Sequence, residues 1–139
     1  MKKCTFCEYA KHKADAPIAY ENKYVMAFID EMPAGPIIGH LLVIPKKHFS
    51  TIDKVEDKYL FEIIKAIKKL APAVIEVAGA DGLNIIQNNG KAAGQAEPHV
   101  HFHLIPRKHG DGIWFNTNRR KPKPMEMLET AKAIGRELK

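Results

Sequence analysis

The run His99-Val100-His101-Phe102-His103-Leu104-Ile105-Pro106-Arg107 decides how this chain is read. Histidine and apolar residues alternate through it with the period of a β-strand, in which successive side chains point to opposite faces. One face then carries His99, His101 and His103. The other carries Val100, Phe102 and Leu104, a set fit to enter a core. Neighbouring imidazoles repel one another when charged and need partners when buried, so the row is costly as mere structure. It points to metal ligation, proton handling or nucleophilic attack.

Outward from this run the chain reads as a set of short strands and one long helix. Residues 17–22 and 24–30 are predicted strands joined tightly near Asn22-Lys23. Pro33, Gly35, Pro36 and Gly39 make residues 31–39 a loop, and residues 40–45 form a third strand closed by Pro45. Over residues 54–78, Tyr59, Leu60, Ile63, Ile64, Ile67, Leu70 and Ala71 recur at spacings of three and four, giving a helix with one apolar face. Asp53 with Glu56 is expected to cap it, Pro72 to kink or split it, and Gly79 to stop it. Residues 82–88 and 100–106 are the fourth and fifth strands. Between them lies the small-residue loop Asn89–Gly94. Residues 124–138 are a final helix with Met127, Leu128, Ala131, Ile134 and Leu138 on one face. The short early connections favour antiparallel pairing. The expected fold is α+β: one domain over 1–139, an antiparallel sheet of about five main strands, one long packed helix and a C-terminal helix.

Composition bounds the function. The 139 residues, 45% hydrophobic and 27% charged, suit a single globular domain. No stretch approaches the roughly 20 apolar residues of a membrane-spanning helix, and no apolar signal core follows Met1-Lys2-Lys3-Cys4. The expectation is a cytoplasmic protein without a membrane partner. The formal charge of +6 reads either as a solvated basic surface or as a field that draws phosphate-bearing ligands. No aromatic-basic platform marks a nucleic-acid surface.

Both cysteines fall in Cys4-Thr5-Phe6-Cys7. A redox C-x-x-C normally follows a strand and opens a helix of a βαβ unit, whereas this one lies at the N-terminus of the sequence, within residues 1–12. Metal binding is the favoured reading. Two thiolates need two further ligands for tetrahedral zinc, and histidines are the natural supply.

The alternating histidine run resembles the histidine-triad (HIT) family of nucleotide hydrolases and transferases. The segment from Gly39-His40 to His48 resembles the family's upstream motif, Gly94-Gln95 precedes the triad as in relatives, and Asp30 followed by Pro33 resembles the nucleotide-facing strand end. The likeness spans roughly residues 4–110. It implies attack of His101 on an α-phosphate, a covalent nucleotidyl-histidine and release of the mononucleotide by water. His103 would contact the phosphate or protonate the leaving group, and His40 would lie close to the triad. Asn88, Gln95 and the backbone amides near 95–97 would hold phosphate, with Ala96 in the same loop. Asp30 would bind ribose, with Ile29 and Phe28 near the base. For His99 the resemblance implies either a hydrogen-bond relay with His40, as in some relatives, or, as in zinc-containing relatives, a place in a structural zinc site with Cys4, Cys7 and His48; no organic cofactor is implied. Members commonly form homodimers through the long helix and a sheet edge.

Ala96 stands where many relatives carry Ser or Thr, which weighs against strong phosphoramidase activity. Pro98 and a longer 31–39 loop are further departures. Dinucleoside polyphosphates such as diadenosine tetraphosphate are the first expected substrates. Adenosine phosphoramidates or nucleotidyl sulfates come second, with nucleotidyl transfer as a further alternative. A zinc-stabilised nucleotide-binding module without turnover is the rival from another class.

Overall fold

The computed structural model describes residues 3–115 and 119–138. A short helix α1 (Thr5–Ala10) leads into β1 (Ile18–Glu21), β2 (Val25–Ile29) and β3 (Leu41–Pro45). The long helix α2 (Asp57–Ala78) follows, then β4 (Gly82–Gln87), β5 (Phe102–Arg107) and α3 (Pro124–Glu137). The five strands form one antiparallel sheet in the order β1-β2-β3-β5-β4. This is the α+β architecture expected from the sequence.

The sheet is buried on both faces at its centre. Val25, Ala27, Leu41 and Val43 point to one side and pack with Ile63, Ala66, Ile67, Leu70 and Val74 of α2. Met26, Phe28, Leu42 and Ile44 point to the other and pack around Phe6 of α1. This alternation is why β2 and β3 read as continuous apolar runs instead of alternating ones. Val100, Phe102 and Leu104 join the α2 side, as the period-two reading requires. The histidines are therefore left on the α1 side, where Phe6 meets both His99 and His101 edge-on.

The fifth strand begins later than expected. The ladder between β3 and β5 runs only from Leu41↔Leu104 to Val43↔Phe102. Pro45 has no amide hydrogen to extend it, its carbonyl is taken by the His99 ring, and Val100 N–H donates to Phe49 O instead. His99 and His101 thus sit on extended chain just ahead of the strand.

Three details of α2 differ from the sequence reading. The helix starts at Asp57, with Glu56 as an extended N-cap that makes no side-chain cap hydrogen bond. Asp53 lies in a separate 3-10 turn, Ile52–Lys54, where it accepts from Thr51 Oγ1. Val55, buried and extended, separates the two and prevents one continuous helix. Pro72 does not split α2, which runs through it from Asp57 to Ala78. The apolar stripe rotates slightly, so Ala66 is buried while Ile64 is 51% exposed. Gly79 ends the helix in the left-handed region (φ 58°), as expected. Helix α3 forms where predicted, but none of its residues is buried.

Candidate functional site

A cleft of about 410 Å³ opens on the α1 side of the sheet. Its floor and walls include His101, His103, Asp30, Ile29, Phe28 and Ala96, with Thr5, Phe6 and Tyr9 of α1 closing one side. The cleft lies where the end of β2 and the start of β5, with Leu42 of β3 between them, meet Thr5, Phe6 and Tyr9 of α1 on one face of the sheet.

Hydrogen-bond partners assign the imidazole tautomers. His101 Nδ1 lies 2.8 Å from the carbonyl of His99, so Nδ1–H donates and Nε2 keeps a free lone pair. A neutral ring with that lone pair is a nucleophile. Ala34 N–H donates to His40 Nδ1 at 2.9 Å. The proton of His40 is therefore on Nε2, which lies 2.9 Å from His103 Nδ1 and donates to it. His103 in turn carries its proton on Nε2. His101 and His103 stand together, ring centroids 4.9 Å apart.

The environment holds the rings on either side of His101 neutral. Burial pushes His103 down to about 4, helped by the neighbouring His101 and His40. Burial also pushes His40 down, opposed by the Asp30 carboxylate, whose Oδ2 is 3.7 Å from His40 Nε2. Asp30 is itself oriented, since its Oδ1 accepts from Met32 N–H at 3.0 Å. Among the described residues no lysine or arginine lines the cleft. The chain's net positive charge is spread elsewhere, so phosphate held here would rely on imidazole and backbone N–H groups.

A second cluster lies behind the triad. Cys4, Cys7, His48 and His99 bring one ligand atom each within 4.8 Å of all the others. His99 Nδ1 is 3.4 Å from Cys4 Sγ, 3.6 Å from Cys7 Sγ and 3.2 Å from His48 Nδ1. Cys7 Sγ is 3.3 Å from His48 Nδ1. A tetrahedral zinc with bonds of about 2.0–2.3 Å sets its ligand atoms roughly 3.3–3.8 Å apart, which these spacings approach. His99 Nε2 donates to the Pro45 carbonyl at 2.9 Å, leaving Nδ1 as the ligating nitrogen. Burial and the neighbouring Cys4 push the Cys7 thiol up to about 11, and burial pushes His99 down to about 4. The donor set fits a closed, four-ligand zinc site. Asp30, His40 and His103 also cluster, but the 2.9 Å contact between His40 and His103 is a hydrogen bond, and Ala34 already occupies the other His40 nitrogen.

The family model described as the HIT domain matches residues 11–110. The chain belongs to the HIT family. This HIT protein is 45% identical over 109 residues to an uncharacterised HIT-like protein of Methanocaldococcus jannaschii, covering 78% of this chain and 82% of that one. It is 39% identical over 105 residues to the adenosine 5'-monophosphoramidase of Saccharomyces cerevisiae, covering 76% of this chain and 63% of the yeast protein. Its fold matches a crystal structure from Streptococcus mutans with a TM-score of 0.92 at 33% identity, over 100% of this chain and 87% of that one. Relatives in this family named for hydrolytic activities include that yeast monophosphoramidase and an adenylylsulfatase of Arabidopsis thaliana. No helix among the described residues is long and apolar enough to cross a membrane.

Within this HIT protein the sequence-derived site residues divide into three groups. His101, His103, Asp30, Ile29, Phe28 and Ala96 line the cleft. His40 does not; it is 3% exposed and acts behind His103. Asn88 and Gln95 do not line it either. Gln95 is spent inside the loop: its Oε1 accepts from Gly90 N–H, and its Nε2 donates to Ser50 O and Glu97 O. The sequence reading missed Thr5, Phe6 and Tyr9. Their one signal was position, since residues inside and just after a metal-binding C-x-x-C are held near whatever the metal's other ligands neighbour.

Proposed function

We propose that this HIT protein hydrolyses nucleotides at the α-phosphate through a covalent nucleotidyl-histidine on His101. The observation that carries this reading is the His101 Nδ1–H donation to the His99 carbonyl, which leaves Nε2 free beside the cleft. In the first step Nε2 attacks phosphorus, a P–N bond forms and the bond to the leaving group breaks. His103 Nε2–H, oriented through His40 and Ala34, donates a hydrogen bond to the leaving atom and stabilises the negative charge that develops there. In the second step water attacks phosphorus and loses a proton to solvent, the P–N bond breaks with its electron pair returning to Nε2, and a nucleoside monophosphate departs with neutral His101 restored. Asp30 accepts from the ribose hydroxyls, and Ile29 and Phe28 flank the base.

Dinucleoside polyphosphates such as diadenosine tetraphosphate are the first substrate class. Ala96 supports them, because a methyl group in the cleft wall offers no hydroxyl to an amine leaving group. Adenosine phosphoramidates are the second class, supported by the likeness to the yeast monophosphoramidase. A structural zinc on Cys4, Cys7, His48 and His99 ties α1 to the catalytic segment, and when bound it supplies rigidity. The free thiols suit a reducing cytosol. A homodimer is supported by the exposed Phe61 and Ile64 on α2 and by Ile85 on the edge strand β4.

The test is turnover of diadenosine tetraphosphate, adenosine phosphoramidate and a nucleotide sugar, with mass spectrometry of the quenched protein. The expected result is an adenylate adduct on His101, absent from His101→Ala. Wild-type turnover by His101→Ala would refute the reading.

A further inference from the structure

The four-residue metal cluster and the cleft share a side chain. Phe6 lies between the two cysteines in sequence, is 7% exposed, and lines the cleft. Its ring meets His99, a cluster residue, at 5.9 Å and 74°, and meets His101 at 5.3 Å and 82°. It also packs edge-on against Phe28, another cleft residue, at 5.3 Å.

The cluster grips the cleft from two directions. Cys4 is the N-cap of α1, with its Sγ accepting from Cys7 N–H, so both thiolates belong to the first turn of the helix that presents Thr5, Phe6 and Tyr9. On the opposite side, His99 offers its carbonyl to His101 Nδ1. A metal ion that draws Cys4 and Cys7 onto His48 and His99 therefore sets the distance between the α1 wall and the His101 ring.

We infer that metal binding at Cys4, Cys7, His48 and His99 and nucleotide binding in the cleft are thermodynamically coupled, with Phe6 as the positioning residue that carries the coupling. The inference rests on the functional reading above. Linkage makes the effect reciprocal: whatever factor zinc adds to nucleotide affinity, nucleotide adds to zinc affinity. Packed, edge-on aromatic contacts transmit it because a close-packed wall does not deform continuously.

The experiment measures zinc affinity of the full chain by competition with a chromophoric chelator, with and without saturating AMP, and AMP affinity of the zinc-loaded protein by calorimetry. The expected result is zinc held about fivefold tighter or more with AMP present. Phe6→Leu, which keeps an apolar side chain in the core, is expected to bind both ligands and to bring this factor below about twofold; Phe6→Ala is the harsher variant. AMP binding with unchanged zinc affinity in the wild type would overturn the coupling and leave the function standing. Full coupling retained in Phe6→Leu would remove Phe6 from it. Failure of AMP to bind the zinc-loaded protein would overturn the functional reading and the coupling together.

Discussion

His40 Nε2 donates to His103 Nδ1 across 2.9 Å, and the direction of that bond is fixed from behind by Ala34 N–H on His40 Nδ1. A backbone amide from the 31–39 loop thereby decides which nitrogen of His103 presents a proton. Through Ala34 the loop does more than connect two strands.

Substitutions along this relay separate its two members. His103→Ala is expected to lower kcat by about 10²–10³-fold, the usual contribution of one positioned hydrogen-bond donor to developing charge. His40→Ala is expected to cost less than His103→Ala, because the His103 ring remains but its tautomer is no longer imposed. Steady-state kinetics on the preferred nucleotide, with the pH profile of kcat, checks the order. Equal rates for His40→Ala and wild type would disprove the relay.

The lowered values of His103 and His40 predict acid sensitivity. The folded protein keeps His103 neutral down to about 4, whereas an unfolded histidine takes up a proton near 6.5. The unfolded state then binds more protons over this window, so stability is fully present above about pH 6.5 and falls as pH drops toward 4. Urea midpoints from pH 8 to 4 in the wild type and in His103→Gln are the check. The variant is expected to show the shallower slope.

Gln95 makes three hydrogen bonds that close the 90–97 loop, to Gly90 N–H, Ser50 O and Glu97 O. Gln95→Ala is expected to destabilise the fold by about 1–3 kcal/mol and to raise KM more than it lowers kcat. A residue that held phosphate directly would behave differently: Gln95→Ala would leave the unfolding midpoint in place while activity fell. Parallel unfolding and kinetic measurements discriminate the two.

Pro72 sits exposed inside an unbroken α2. Its ring removes one helical hydrogen bond. Pro72→Ala is expected to stabilise the protein by up to about 3 kcal/mol with no change in kcat. Thermal unfolding with an activity assay suffices to check it.

The period-two run at residues 99–107 and the three-and-four spacing in α2 placed the sheet, the long helix and both faces of the histidine strand correctly, because side-chain alternation follows directly from backbone geometry. The cap of α2 was misread: Asp53 and Glu56 have the right spacing, but the burial of Val55 interrupts the turn. The end of the β3–β5 ladder was hidden too, since only packing shows that Pro45 O is claimed by His99.

For the site, residue types were enough to single out groups that the fold brings together: His101, His103 and Asp30 at the cleft, and Cys4, Cys7, His48 and His99 in one cluster. These are chemically distinctive groups, and each lies in a short motif that can be read by itself. The direction of the His40–His103 bond, the internal role of Gln95, the lack of any lysine or arginine around the described cleft and the wall built by Phe6 and Tyr9 were decided by tertiary structure alone. Each depends on groups far apart in the chain meeting at hydrogen-bond or van der Waals distance. Such meetings are set by how the sheet and helices pack, and no single segment encodes them.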